Sequence, residues 1–145
     1  MYNPECLTYF RVHYGNKPFD MRDFCEQLGL DYDEVKDFGT DVTLHIGTNY
    51  EFDIDINVML RKSLAQLFGK EDILVELRRK YCLEYYIERV PTMVAGSEIP
   101  NQLFSLDSNI IEFMYKTGAH DDFDYYILTN PEHDDQGGET DCVHE

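Results

Sequence analysis

Glu5-Cys6-Leu7-Thr8-Tyr9-Phe10-Arg11-Val12-His13-Tyr14 is the stretch on which the fold turns. It is dense in aromatic and β-branched residues, the composition of a strand. Alternation puts Cys6, Thr8, Phe10 and Val12 on one face and Leu7, Tyr9 and Arg11 on the other. Both faces are partly apolar, so the strand belongs in the middle of a sheet.

Working outward, Gly15-Asn16-Lys17-Pro18 is a turn cluster, and a helix follows. Asp20 is placed as its N-cap, and Phe19 is placed to pack on Phe24 as a hydrophobic staple. Met21, Phe24, Cys25 and Leu28 make the apolar stripe, and Gly29 is the stop. Residues 31–41 read as an acidic connection. Beyond it, Val42, Leu44 and Ile46 alternate with Thr43 and His45. Tyr50, Phe52, Ile54 and Ile56 alternate with Glu51, Asp53 and Asp55. Gly47-Thr48-Asn49 between them predicts a hairpin of half-buried strands.

Residues 57–80 carry helical stripes on either side of Gly69, which is costly inside a helix, so two helices are expected. Residues 81–90 read as a strand closed by Pro91, with a loop over 91–104. Asp107 is placed to cap a helix, with Leu106 and Ile111 as its staple, Ile110, Ile111, Met114 and Tyr115 on its buried side, and Gly118 as its stop. Residues 122–128 form the last strand. From 130 to 145 the chain is polar and acidic and reads as a disordered tail, leaving one domain over 1–129. The predicted class is α+β, a largely antiparallel or mixed sheet with helices packed on one face. A ferredoxin-like plait with additions is the first topology.

The 145 residues hold 29 acidic and 12 basic side chains, a net charge of −17. Such a charge argues against direct binding to nucleic acid or anionic membrane, and it leaves open a basic protein partner or cations. With 43% hydrophobic residues it has the apolar mass to fold without disulfides or metal. The start of the sequence shows no basic, then apolar, leader pattern. No apolar run approaches the ~18–20 residues of a membrane span. Cys6, Cys25, Cys82 and Cys142 form no CxxC pair and read as small buried hydrophobes plus one tail thiol. The expectation is a cytoplasmic protein.

The charge is unevenly spread. Residues 1–57 hold 12 acidic against 4 basic side chains, 58–119 are balanced, and 120–145 hold 9 acidic and no basic ones. If the hairpin and the last two strands share a sheet, one open face collects Glu51, Asp53, Asp55, Glu84, Glu88 and Asp124. Tyr86 and Tyr126 are interleaved among them. Carboxylates steer a basic partner, and tyrosines supply contact area. The same pattern also describes a solvated face that only keeps a protein in solution.

The short motifs Thr8-Tyr9-Phe10-Arg11-Val12, Gln27-Leu28-Gly29-Leu30, Leu74-Val75-Glu76-Leu77-Arg78-Arg79-Lys80-Tyr81, Phe104-Ser105-Leu106-Asp107, Ile110-Ile111-Glu112-Phe113 and Phe123-Asp124-Tyr125-Tyr126 follow one another over about residues 5–128. In the order of these short apolar motifs the chain resembles the bacterial domain-of-unknown-function family 4279. The resemblance implies a small α+β domain and brings no catalytic residues with it.

Two clusters have the residue types of a chemical site. His45 with Asp53 and Asp55 is ligand-like, but a flat hairpin closes no metal site. His120, Asp121, Asp122 and Asp124 lie at a helix-to-strand junction, where acid–base chemistry competes with an ordinary turn. No nucleophile motif, P-loop or dinucleotide fingerprint is present, so no catalytic residue, metal or cofactor is assigned. The sequence thus predicts a non-enzymatic acidic protein that binds and inhibits a basic partner, of immunity or anti-defence type. A small metal-binding or hydrolytic domain, or a small-ligand module, is the alternative.

Overall fold

The computed structural model describes residues 5–44, 56–96, 105–129 and 142–144. The opening stretch forms β1 (Glu5–His13), with β3 (Asp41–Leu44) on one side and β4 (Glu84–Val94) on the other, both antiparallel to it. β2 (Val35–Asp37) pairs with β3, β5 (His120–Leu128) runs parallel to β4, and β6 (Cys142–His144) pairs antiparallel with β5. The six-stranded order is β2-β3-β1-β4-β5-β6, with β1 well inside the sheet.

The helices are α1 (Met21–Leu28), α2 (Ile56–Leu64), α3 (Glu71–Tyr81) and α4 (Ser108–Thr117). All four bury residues in one core against Cys6, Phe10 and Val12 of β1 and Tyr85 and Ile87 of β4. Thr8 on the same face lets α2 come close. Its hydroxyl lies 2.6 Å from that of Ser63, whose hydroxyl also donates to the Thr8 carbonyl at 3.1 Å. The α+β class, the mixed sheet and the helices on one face are as the sequence predicts. The plait topology is not what forms: a plait separates the two parallel strands of each βαβ unit by an antiparallel one, whereas here β4 and β5, joined through α4, are direct parallel neighbours.

Local chemistry explains the elements. Asp20 accepts from the Asp23 N–H at 3.0 Å, and Phe19 meets Phe24 edge-on at 5.5 Å, as a capped and stapled helix start requires. Gly29 ends α1 at φ 68. The helical stretch does break near Gly69, giving α2 and α3.

Four expectations change, and one falls outside the described residues. Residues 31–41 contain β2 and a tight turn, in which the Asp37 carboxylate accepts from the Gly39 N–H at 2.9 Å. The expected second strand of the hairpin, with Glu51, Asp53 and Asp55, lies outside the described residues, as does His45. β4 continues through Pro91 to Val94. The register with β5 stops at Arg89↔Phe123 and resumes at Thr92↔Tyr126, so the residue without an N–H sits in a gap of that ladder. On α4, Ile110, Phe113 and Thr117 are buried, while Ile111 and Tyr115 face out at 52% and 88% exposure. Phe113 wins because it meets Phe10 and Phe68 edge-on. Within the stretch expected to be a disordered tail, Cys142–His144 pairs with β5 as β6.

Candidate functional site

Whatever points away from the helices shares the other face of the sheet. The register arranges it in rows across the strands. His13 lies between Asp41 and Glu84, and Arg11 lies between Thr43 and Tyr86, the row continuing to Lys36 and His120. Tyr9 is opposite Glu88, and Glu88 is opposite Asp122. Asp124 and Tyr126 follow on β5 by alternation.

Arg11 organises the centre. Its Nε donates to Glu88 Oε1 and its Nη1 to Asp41 Oδ1, both at 2.7 Å, while Nη2 stands 3.6 Å from Asp122. The guanidinium lies over the Tyr86 ring at 4.0 Å from its centroid. Tyr86 in turn stacks near His120 at 5.1 Å and donates its hydroxyl to Glu84 at 2.7 Å. His13 Nδ1 sits 2.9 Å from Asp41. Tyr126 donates its hydroxyl to Asp124 at 3.2 Å.

These contacts sort the acids. The Glu88 side chain is only 4% exposed because Arg11 lies across it. Burial pushes Glu88 up to about 7; Arg11 opposes this, and the hydrogen bond and charge of Asp122 add to it. Asp41 goes the other way. Burial works against its ionised form, but hydrogen bonds from Thr40, Arg11 and His13 hold it below the usual carboxylate range. The Tyr86 hydroxyl holds Glu84 below its ordinary value. Tyr9 is pushed up to about 12, first by burial and then by the charge of Glu88, with Asp122 and Asp124 contributing.

Beside Arg11 the face is concave. An open groove of about 570 Å³ has Leu7, Tyr9, Thr43 and Phe38 as its less polar walls. Two cations, Arg11 and Lys36, and four carboxylates, Asp41, Glu88, Asp122 and Asp124, complete it. Phe38 stands at the turn between β2 and β3, 67% exposed.

Of the residues expected on a binding face, Glu84, Glu88, Asp124 and Tyr126 do share this one. Glu88 differs from expectation in being buried and engaged rather than solvated. The His120-Asp121-Asp122 run is split by alternation. His120 and Asp122 lie on the open face, and Asp121 is on the helix side, held by Arg89 at 2.6 Å. Arg11, Asp41, Tyr9 and Phe38 join this site from outside the acidic face that the sequence predicts, and Asp122 joins it from the junction cluster with His120. The signal for Tyr9 and Arg11 was present in the period-two pattern of β1, since both fall opposite Phe10 and Val12. Nothing local marks Asp41 or Phe38, because the sequence of residues 31–41 predicts only a connection.

Among the described residues, no group of three His, Cys, Asp or Glu side chains is arranged to hold a metal ion. Nor is any helix long and apolar enough to cross a membrane. Cys6 and Cys25 are buried, and burial pushes the Cys6 thiol up to about 12. Cys82, expected to be buried, is exposed, because it caps α3 in the left-handed conformation and turns its side chain outward. No family model, curated protein or solved structure matches the chain at a significant level.

Proposed function

We propose that this chain is a non-enzymatic acidic interaction protein whose open sheet face binds a basic protein partner and blocks it, a nuclease being one such class of partner. The observation that carries the reading is the convergence of Asp41, Glu84, Glu88, Asp122 and Asp124 on one sheet face, interleaved with Tyr9, Tyr86 and Tyr126, around a groove. Carboxylates on a rigid sheet attract and orient a basic surface, and tyrosines give contact area at low entropic cost. The net charge of −17 adds long-range steering.

The test is a pull-down at low salt, followed by titration of the purified partner against this protein at rising ionic strength. Affinity falls steeply with salt, and Asp122→Asn with Asp124→Asn weakens it further. An affinity indifferent to both salt and these substitutions overturns the reading.

One observation favours a second reading, a small hydrolytic domain. Glu88 stands near neutrality next to Asp122, as an acid–base pair requires. Under that reading Glu88→Gln abolishes turnover of a small substrate and leaves its binding intact.

A further inference from the structure

The sheet already seats one guanidinium, its own. Arg11 lies over the Tyr86 ring and is gripped by Asp41 and Glu88. One register pair along β1 the pattern repeats. There Tyr9 supplies the ring, Asp122 and Asp124 supply carboxylates from β5, and the groove opens above them. The exposed Phe38 ring closes the β2 side. Within the groove the carboxylates outnumber Arg11 and Lys36 by two to one. The ligand that fits an aromatic wall beside carboxylates is a flat, weakly hydrated cation with several donors. A guanidinium has those properties, and an ammonium is a compact, strongly hydrated charge.

Resting on the basic-partner reading, we infer that this groove takes one arginine side chain of the partner, stacked on Tyr9 and held by Asp122 and Asp124, and that its entry expels a proton from the Glu88–Asp122 pair. Glu88 is buried between Arg11 and Asp122, with Tyr9 opposite it on β1 and Asp41 reaching the same guanidinium from β3. Standing at about 7, Glu88 is part-protonated at neutral pH. A second cation beside Asp122 favours the ionised form, so the proton leaves to the buffer. Binding therefore tightens as pH rises through neutrality. His13 and His120 lie on the same face, so their contribution is separated by substitution.

The probe is a blocked tri-arginine peptide, with tri-lysine of equal charge beside it. Both are titrated calorimetrically at low salt in two buffers of different ionisation heat, which counts the protons released. The arginine peptide binds more tightly than the lysine peptide, and its affinity rises about tenfold between roughly pH 6 and pH 8. Tyr9→Leu and Asp122→Asn each weaken it, and Tyr9→Phe, which keeps the ring, does not. Glu88→Gln binds with a flat pH profile, and the His13→Gln/His120→Gln protein keeps the slope. Circular dichroism verifies that each variant is folded.

Equal, salt-sensitive binding of both peptides, unmoved by Tyr9→Leu and Asp122→Asn, overturns the groove and leaves the acidic-face reading standing. A slope that survives Glu88→Gln overturns the proton coupling. Absence of binding by either peptide overturns the inference, and the basic-partner reading then stands or falls on its own salt titration.

Discussion

Arg11 and Glu88 meet diagonally across the β1–β4 ladder, Nε to Oε1 at 2.7 Å, although the Cα partner of Glu88 is Tyr9 and that of Arg11 is Tyr86. The diagonal reach covers the carboxyl and removes it from water. The same contact makes Glu88 a poor surface charge and a group held near neutrality.

Arg11→Leu leaves Glu88 buried with Asp122 beside it and no cation between them. Breaking such a pair from one side costs on the order of 3 kcal/mol. Replacing both, as Arg11→Leu/Glu88→Leu, recovers most of the loss, because no buried charge is then stranded and Asp41 keeps His13 and Thr40. Urea denaturation of the two single variants and the double variant at neutral pH closes the cycle, and a double variant no more stable than Arg11→Leu contradicts the account.

Glu88 also sets a pH dependence. Its folded value is about 7 against an ordinary 4.5, so the folded protein holds a proton that the unfolded chain releases between those values. Its contribution is complete below about pH 4.5 and is lost as pH rises through 7, amounting to on the order of 3 kcal/mol. Asp41, held low, acts oppositely and loses its contribution only in stronger acid. Glu88→Gln, a mimic of the protonated form, flattens the decline between roughly pH 5 and 8 seen in thermal melts. An unchanged slope in that variant places the titration elsewhere.

Cys82 is the described non-glycine residue with positive φ, at 54°, where it ends α3. An L side chain is strained there and glycine is not. Cys82→Gly raises stability by about 0.5–1 kcal/mol, against the usual direction for a new glycine. Equilibrium unfolding measures it, and a loss of stability shows that the exposed side chain contributes a contact larger than the strain.

The two stripes of α4 separate by mutation. Phe113→Ala removes a ring packed on Phe10 and Phe68 and costs about 3–5 kcal/mol. Tyr115→Ser, at a position 88% exposed, stays within about 0.5 kcal/mol. A large destabilisation by Tyr115→Ser reverses the assignment of the faces.

Tyr85 is fully buried and donates its hydroxyl to the Leu74 carbonyl of α3 at 2.6 Å. Tyr85→Phe keeps the ring against Phe10 and Phe24 and loses that bond, at a cost of about 1 kcal/mol. The midpoint of a denaturant titration reads it, and no shift means the bond adds nothing net.

Local signals were sufficient where one pattern admitted one reading. The alternation of β1, the Asp20 cap, the Phe19–Phe24 staple, the break near Gly69 and the stops at Gly29 and Gly118 need only near neighbours, and the structure has them all. On α4 two stripes satisfied the same helical period, and distant Phe10 and Phe68 chose between them. The acidic face was legible as a set of strand positions on β4 and β5, because side-chain direction in a strand follows from counting by two.

The sequence by itself determined the class of the fold, the central place of β1, both ends of α1, the stop of α4 and the sign of the surface charge. Each of these depends on composition or on residues a turn or two apart. The tertiary structure alone decided that Pro91 lies inside a strand, that β4 and β5 run parallel, and that Arg11 covers Glu88 while Asp121 turns to Arg89 on the helix side. Those outcomes depend on which strands become neighbours and in what register. A register brings together residues as far apart as Arg11, Asp41, Glu88 and Asp122, whose proximity no local pattern encodes.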